Sequence, residues 1–263
     1  MNLSLPPSIQ ALVSGRAYTL DTTGMSGSQV LIYEDIVLKI EPTDPENRKT
    51  ATLMGWLQGK LPVPEVLCFE SREGFDYTLM TRIPGKMACD RSYLEQPEKL
   101  LSLLGDTLKG LWTVDITHCP RRQDPDALLK LARHRVETGL VDVEDVEPET
   151  FGPGGFRDPM ELLLWLEHNK PDIDPVFCHG DFCLPNVFFK DNALSGLIDL
   201  GHAGVGDRYL DIALCYRSLR HNFDGSYGGK VYPDFQPDRL FDHLGIAPDW
   251  DKIRYYLLLD ELF

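Results

Sequence analysis

The sequence predicts an α+β fold in two lobes: a small antiparallel five-stranded β lobe with one helix, followed by a larger, mainly helical lobe. Three observations predict this division. Five short segments rich in β-forming residues fill the first third of the chain, one helical pattern interrupts them, and helical spacing dominates after the break at Pro84-Gly85. We therefore expect the β lobe to span residues 1–83 and the helical lobe residues 84–263.

The strands of the β lobe are expected to be short and to be separated by glycine or acidic turns. They are predicted at residues 16–20, 29–33, 36–40, 65–69 and 77–82. A helical pattern covers residues 45–59, and Pro62 and Pro64 end it. The single helix of this lobe therefore follows its third strand.

The second lobe is predicted from apolar residues at helical spacing. Its clearest helical segments are residues 100–113, 126–138, 159–167 and a helix that starts at Asp207. Two short strands, at 187–189 and 194–198, interrupt the helices. The stretch 142–155 is acidic and then rich in Gly and Pro, which indicates a loop.

The charge balance limits the class of partner. The formal net charge is −15, and this argues against nucleic acid, because phosphate backbones are bound by clustered Lys and Arg. An acidic cleft would attract a polycationic ligand. Acidity that serves only solubility explains the same number, so the charge alone leaves both interpretations open.

The six cysteines and the N-terminus indicate the compartment. The cysteines are scattered without a paired framework, so we expect six reduced thiols in a reducing environment. The first 15 residues lack the basic start and apolar run of a secretory signal, and no apolar stretch is long enough to span a membrane. A cytoplasmic protein without a membrane, nucleic-acid or protein partner is predicted.

The strongest chemical signal is the run HGDFCLPN at 179–186, followed by Asp199 in the run IDLG. Phosphoryl transfer needs one group that orients the attacking hydroxyl and accepts its proton, and hard oxygen ligands for Mg²⁺. Asp181, Asn186 and Asp199 supply that set at a short spacing. Each alone could be a turn or capping residue, but the three together favour the chemical interpretation.

Lys39 gives a second signal, because it interrupts the apolar segment 36–40. A buried ammonium is costly unless it meets an anion, such as the phosphates of a nucleotide. The alternative is an edge strand on which Lys39 faces water. Upstream, the Gly- and Ser-rich segment 24–28 could cover phosphates with its backbone N–H groups, although it is not a Walker A motif.

The chain resembles the aminoglycoside 3′-phosphotransferases, a family with a protein-kinase-like fold, from about Tyr18 to Phe263. The run at 179–186 and IDLG indicate only the wider group of antibiotic, choline and related small-molecule kinases. The segments WLQGKLPVP at 56–64, DIAL through RS at 211–218, and PDWDKIRYYLLLDELF at 248–263 are more specific. The resemblance of this last segment also implies that the chain ends at its natural residue.

The resemblance implies a role for each matched residue. Asp181 is the expected catalytic base, and Asn186 and Asp199 are the expected Mg²⁺ ligands. The donor is ATP or GTP. Lys39 and Ser26 are expected to contact its phosphates. The backbone of Thr81 and Ile83 is expected to contact the adenine, and Ile198 is expected to cover one face of the base.

The same resemblance implies an acceptor site for a polycationic aminoglycoside. Its expected residues are Arg217, Asp260, Glu261 and the terminal carboxylate of Phe263, together with the acidic loop that holds Asp142, Glu144, Asp145, Glu147 and Glu149. Carboxylates on mobile segments can pair with different arrangements of ammonium groups. Each exposed pair contributes only about 0.2–1 kcal/mol, so several must act together. For the acidic loop, a solvated surface run is the competing interpretation.

The chain departs from the family pattern at three positions. The family pairs its strand lysine with a helix glutamate, and Thr50 stands at that position here, one helical turn after Glu46. Val37 replaces an aromatic residue that stacks on the adenine, which would loosen discrimination between ATP and GTP. His202 replaces an arginine that lies near the substrate in some relatives.

The function predicted from the sequence is Mg²⁺-dependent transfer of the γ-phosphate of ATP or GTP to the 3′-hydroxyl of an aminoglycoside antibiotic, which would confer resistance. Two alternatives stay open. The chain could phosphorylate another small hydroxylated substrate, or it could be a nucleotide-binding pseudokinase, an interpretation that Thr50 raises and that the intact Asp181, Asn186 and Asp199 oppose.

Overall fold

The computed structural model describes residues 5–21, 28–144 and 146–263. The helices of these residues are α1 (Pro7–Val13), α2 (Pro45–Leu57), α3 (Arg91–Leu94), α4 (Pro97–Trp112), α5 (Pro125–Glu137), α6 (Pro159–His168), α7 (Arg208–Asp224), α8 (Arg239–Leu244) and α9 (Trp250–Asp260). The strands are β1 (Thr19–Asp21), β2 (Gln29–Ile32), β3 (Ile36–Pro42), β4 (Val66–Arg72), β5 (Phe75–Thr81), β6 (Lys86–Met87), β7 (Pro175–Cys178), β8 (Val187–Lys190), β9 (Ala193–Leu197) and β10 (Gly204–Asp207). They divide into two compact units.

The first unit contains the predicted five-stranded sheet. Its strands are all antiparallel and lie in the order β1-β2-β3-β5-β4. Lys39 on β3 therefore has a neighbour on each side, Val30 on β2 and Thr78 on β5. The alternative that placed Lys39 on an edge strand is wrong, because β3 is the central strand of the sheet.

One face of this sheet is covered by α1, which the sequence analysis did not predict. Ile9 and Val13 of α1 pack in one buried cluster with Leu31, Leu38 and Leu79 of the sheet. The helix has only seven residues, so it is too short to show a helical period, and its Pro7 fits the first turn. Because successive side chains of a strand alternate between faces, Lys39 lies on the face opposite Leu38.

Helix α2 follows β3 as predicted and ends two residues earlier than expected. Its N-cap is Asp44, whose carboxylate accepts a hydrogen bond from the backbone N–H of Glu46 at 2.8 Å, and Pro45 occupies the first turn. Leu53, Met54 and Leu57 form its buried face. Thr50 and Glu46 therefore belong to a regular helix with a fixed start.

The first unit also includes Phe188–Gly201, which holds most of the β8–β9 hairpin. The turn of this hairpin has positive φ at both Asp191 and Asn192, as a two-residue hairpin turn requires. The N–H of Leu197 donates to the carbonyl of Pro62 at 2.9 Å. Gly196 allows Ile83 to pack against β9, because a Cβ at position 196 would lie 2.6 Å from the Ile83 side chain. The unit is thus built from two separate stretches of the chain.

The second unit, Met87–Val187 and His202–Phe263, is mainly helical. Helix α7 is largely buried, with Ile212, Ala213 and Leu214 fully inaccessible to solvent. Asp207 caps this helix and is itself fully buried. Its carboxylate accepts hydrogen bonds from Lys252 Nζ at 2.9 Å and Tyr256 Oη at 3.1 Å, and these bonds fix α9 against the start of α7.

All six cysteines are free thiols, as predicted. Over the described ranges, none of the helices combines the length and the apolar character that a bilayer crossing would need.

Candidate active site

The loop that follows β7 carries the predicted catalytic base, and a buried carboxylate holds the start of this loop. Asp211 of α7 is 1% exposed, and its two oxygens accept the backbone N–H groups of His179 at 2.7 Å and Gly180 at 2.8 Å. Seven residues later, Ser218 Oγ accepts the N–H of Leu184 at 3.0 Å. Residues seven apart share a helix face, so one face of α7 binds both ends of the loop.

The environment of Asp211 is unusual for a carboxylate. Burial raises its pKa to about 6, although the bonds from His179 and Gly180 act in the opposite direction. Gly180 has φ of +81°, and a Cβ there would collide with the carbonyl oxygen of His202. Glycine is therefore required at the second position of the HGD run.

The next residues of the loop bring two predicted site residues together. Asn186 Nδ2 donates to Asp181 Oδ2 at 2.8 Å and to the Asp181 carbonyl at 3.0 Å. His179 is fully buried, and its Nδ1 accepts the N–H of Asp181 at 3.3 Å, which agrees with the structural role predicted for it. Because the amide nitrogen of Asn186 is engaged by Asp181, its Oδ1 is the atom left to act as a ligand.

In the first unit, Lys39 meets two carboxylates. Its Nζ lies 2.8 Å from Glu41 Oε1 and 3.7 Å from Asp199 Oδ1. Burial lowers the pKa of Lys39, but the negative charges of Asp199 and Glu41 outweigh this effect, so the pKa is raised. Lys39 therefore stays a full cation, and the structure brings the predicted phosphate-binding lysine and the predicted metal ligand Asp199 into contact.

The oxygen atoms of Asp199 and Asn186 are chemically suited to Mg²⁺. Asp199 has a positive φ of 57°, and its side chain is 55% exposed. Over the described residues there is no group of three or more His, Cys, Asp or Glu side chains arranged to hold a metal ion. Mg²⁺ does not need one, because it is usually held by one or two carboxylates, waters and substrate phosphates.

The residues predicted to bind the adenine lie at and after the end of β5. The N–H of Thr81 donates to the Glu65 carbonyl at 2.9 Å, and Thr81 Oγ1 accepts the N–H of Glu65. The carbonyl of Thr81 is therefore the backbone group that could accept a hydrogen bond from the nucleotide base. Ile83 packs beside Gly196, and Ile198 is half-buried. Ser26 lies outside the described residues.

The acidic C-terminal residues are gathered around Arg217. Its guanidinium forms ion pairs with Asp260 and, at 3.2 Å, with Glu261. The Glu261 side chain is only 4% exposed and also accepts the backbone N–H of Glu147 at 2.9 Å. The structure therefore joins the predicted tail residues to the predicted acidic loop.

The comparisons with known proteins agree with this geometry. Residues 10–256 match the model of the phosphotransferase enzyme family. The chain is 37% identical to an aminoglycoside 3′-phosphotransferase of Enterococcus faecalis and 35% identical to one of Staphylococcus aureus, and each alignment covers 99% of both proteins. The chain belongs to the phosphotransferase enzyme family. The resemblance stated from its motifs is thereby confirmed.

Solved structures confirm the fold of this phosphotransferase. An aminoglycoside 3′-phosphotransferase of type VIII superposes with a TM-score of 0.80 at 27% identity, over 97% of each chain. A phosphotransferase from Streptomyces rimosus gives a TM-score of 0.78 at 24% identity, over 97% of this chain and 95% of the other. The predicted two-lobe kinase-like fold is therefore correct.

Four residues of the phosphotransferase have roles that the sequence analysis did not assign. They are Asp211 and Ser218, which hold the loop, Glu41, which binds Lys39, and Arg135, which binds the C-terminus. An Asp and a Ser seven residues apart, and therefore on one face of a helix, could have indicated the first two. Glu41 and Arg135 carry no such signal, because they look like ordinary charged residues of a strand and a helix.

Arg135 determines the position of the last residues. It donates from Nε to the carbonyl of Leu262 at 2.8 Å and from Nη2 to the backbone oxygen of Phe263. The Phe263 ring also lies 6.2 Å from the ring of His202. The backbone oxygen of Phe263, a residue expected to meet an ammonium group, therefore already has one cationic partner within the protein.

Ion pairs fix part of the acidic loop. Glu147 binds Arg220 at 3.1 Å and His221 Nε2 at 3.0 Å. The other acidic residues of the loop that the structure describes, namely Asp142, Glu144 and Glu149, are exposed, and Asp145 lies outside the described residues. The interpretation of this loop as a solvated run thus fits part of it, while Glu147 has a structural role.

Cys183 shows that the loop and the tail lie near each other within the second unit. Burial, a hydrogen bond to Asp181 and the nearby charge of Asp260 together raise the pKa of its thiol well above the usual value. The positive charge of Arg217 acts in the opposite direction. The candidate base and the acidic tail therefore share one electrostatic environment, and Cys183 stays a neutral thiol there.

Replacing Arg217 by alanine is expected to lower the free energy of unfolding by about 1–3 kcal/mol, because the buried carboxylate of Glu261 loses its cation. Urea denaturation measures this change. Arg220→Ala is the matched control, since Arg220 is 44% exposed and its pair with Glu147 should contribute less than about 1 kcal/mol. Equal losses in both variants would contradict the structural role of Arg217.

Proposed function

We propose that this phosphotransferase transfers the γ-phosphate of ATP or GTP to the 3′-hydroxyl of an aminoglycoside. The observation that carries the proposal is the bonded pair Asp181 and Asn186, in a loop that α7 holds at both ends. The names of the full-length relatives support the acceptor class. A transferase of this kind would confer resistance on a bacterium that expresses it.

In the proposed reaction Asp181 is the catalytic base. Its carboxylate orients the acceptor hydroxyl and takes the proton as the new O–P bond forms and the bond from the γ-phosphorus to the nucleoside diphosphate breaks. The bond from Asn186 Nδ2 to Asp181 Oδ2 fixes the orientation of the carboxylate. This fixed orientation of the carboxylate is the main positioning effect.

Lys39, Thr81 and Ile83 are the proposed donor-binding residues, with Ser26 and Ile198 assigned by resemblance alone. Lys39 supplies a permanent positive charge for the α- and β-phosphates. When bound, Mg²⁺ would offset the charge on the transferring phosphates, and Asn186 and Asp199 are its proposed ligands. The functional division into a nucleotide-binding part, 1–83, and a catalytic and acceptor-binding part, 84–263, remains part of this proposal.

The proposed acceptor site is the acidic tail. Asp260 and Glu261 supply negative charge for ammonium groups, and the Phe263 carboxylate adds to it. Arg217 would repel an ammonium group, so its proposed role is to hold Asp260 and Glu261 in place rather than to bind the antibiotic directly. This assignment explains why a cation lies in a site for a polycation.

The test measures nucleoside diphosphate release by the purified protein with Mg²⁺, using ATP and GTP, with and without kanamycin. Kanamycin-dependent release, with the phosphate located on the 3′-oxygen of the product by NMR, supports the proposal. Release that depends on a different hydroxylated compound would overturn the acceptor class. Nucleotide binding without turnover on any acceptor of a broad panel would favour a pseudokinase.

Asp260→Asn is expected to raise KM for the antibiotic about 1.5-fold to fivefold and to leave KM for ATP nearly unchanged, since one partly exposed charge pair with an ammonium group is lost. Steady-state kinetics with each substrate varied in turn measures both constants. Asp251→Asn is the matched control, because Asp251 is an exposed carboxylate in the first turn of the same helix. An unchanged acceptor KM would remove Asp260 from the site. Truncating the tail would test the charges less directly, because it would also remove the fully buried side chain of Leu262.

A further inference from the structure

Strand β3 places a glutamate next to the phosphate-binding lysine. Lys39 and Glu41 are two residues apart, so they share a face of the strand, and Glu41 Oε1 lies 2.8 Å from Lys39 Nζ. Their side chains are 27% and 20% exposed. A pair at this depth is screened less by solvent than a surface pair, and its geometry is set by a central strand.

Over the described residues, the helix that follows forms no ion pair with Lys39. Glu46 Oε1 binds Lys49 Nζ at 2.6 Å, and Thr50 Oγ1 donates to the Glu46 carbonyl at 2.9 Å within the helix. Among the described residues, the ion pairs formed by Lys39 are those with Glu41 and Asp199. Thr50 stands where the family has a glutamate that pairs with this lysine. In this protein the glutamate that contacts Lys39 lies on β3 itself.

Asp199 is the weaker candidate for that role. Its oxygen lies 3.7 Å from Lys39 Nζ, beyond hydrogen-bond distance, and its side chain is 55% exposed. In the proposed reaction the Asp199 carboxylate is also a metal ligand, so its charge is committed elsewhere when the nucleotide is bound. Glu41 is the partner that can stay with Lys39 throughout.

We propose that Glu41 is the positioning residue for Lys39: it holds one N–H of the ammonium group and directs the other two to the phosphates of the nucleotide. A lysine side chain is long and flexible, so ordering it before the nucleotide binds removes an entropic cost from that step. The proposal rests on the proposed function only in taking nucleotide phosphates as the anion that Lys39 meets.

Glu41→Gln tests the proposal, because it keeps the shape of the side chain and removes its charge. We expect kcat/KM for MgATP to fall about tenfold, as for the loss of one charge-assisted hydrogen bond, with KM for the acceptor changed less than about twofold. Glu46→Gln is the matched control, since it removes the nearby helix glutamate and should leave kinetics at the wild-type level. Loss of activity in both variants, or in neither, overturns the proposal.

A double-mutant cycle separates positioning from a structural effect. If Glu41 acts through Lys39, then Glu41→Gln should cause no further loss in a Lys39→Ala background. Additive losses would show that Glu41 acts independently of Lys39 and would overturn the proposal. Thermal unfolding of each variant identifies any loss that comes from misfolding, and Glu41→Asp provides a second variant that should recover part of the activity.

Calorimetric titration with MgATP, in the absence of any acceptor, makes the outcome independent of the proposed substrate. Weaker MgATP binding by Glu41→Gln than by Glu46→Gln supports the proposed role of Glu41. It does so even if the protein phosphorylates no aminoglycoside, because that result would contradict only the proposed function. Equal MgATP affinities in these two variants overturn the role of Glu41 whether or not the wild type turns over kanamycin.

Discussion

Asp181→Ala is expected to reduce kcat by at least about 10³-fold, because no group remains to accept the proton of the acceptor hydroxyl. Nucleotide affinity should change little, since the proposed nucleotide contacts are Lys39 and the end of β5 and do not include Asp181. Steady-state turnover and calorimetric titration with MgATP measure the two effects. Comparable kcat in the variant would remove Asp181 from the mechanism.

Asp181→Asn separates basicity from positioning in this prediction. An asparagine oxygen can still accept the bond that Asn186 Nδ2 donates to Asp181 at 2.8 Å, so the loop should keep its conformation while the base is lost. We expect kcat as low as in the alanine variant, with an unchanged melting temperature. A nearly active asparagine variant would mean that Asp181 orients the acceptor without taking its proton.

The second large effect is expected at Asp211. Replacing it by alanine leaves the N–H groups of His179 and Gly180 buried without a partner, and each such group costs about 1–3 kcal/mol. The free energy of unfolding should therefore fall by about 3–5 kcal/mol, and Tm by about 10 °C for a chain of this size. Urea and thermal denaturation measure these changes, and kcat should fall because the loop that carries Asp181 loses its anchor.

Asp224→Ala is the control for Asp211, because Asp224 is exposed at the other end of the same helix, where it binds Ser226. Its loss should cost less than about 1 kcal/mol. If Asp211→Ala were no less stable than this control, the contacts from Asp211 to the loop would not hold the loop in place.

The raised pKa of Asp211 adds a pH dependence with a definite sign. Burial raises the pKa from 3.8 to about 6, so between these values the native state binds more protons than the unfolded state. The contribution of this group to stability is therefore largest below about pH 4 and falls as pH rises through 6. The difference in unfolding free energy between wild type and Asp211→Ala should be smaller at pH 7 than at pH 4.5.

The lobe order and most of the candidate site could be predicted from local sequence. The β-rich segments, the proline and glycine breaks and the helical periods predicted the sheet and its helix, because strand and helix patterns depend on residues close in the chain. The spacing of Asp181, Asn186 and Asp199 predicted the chemistry for the same reason. Short elements such as α1, β7 and β10 were missed, since seven or fewer residues carry too little periodic signal.

Tertiary structure alone decided which distant residues hold the site in place. Asp211 receives the loop from 31 residues earlier in the chain, and Arg135 binds the carbonyl of Leu262, 127 residues later. The partner of Lys39 was also decided by the tertiary structure: Glu41, two residues away, forms the contact that the family resemblance had assigned to position 50. The sequence determines which groups can do the chemistry, whereas hydrogen-bond and charge partners depend on which surfaces pack together, and no local pattern encodes that packing.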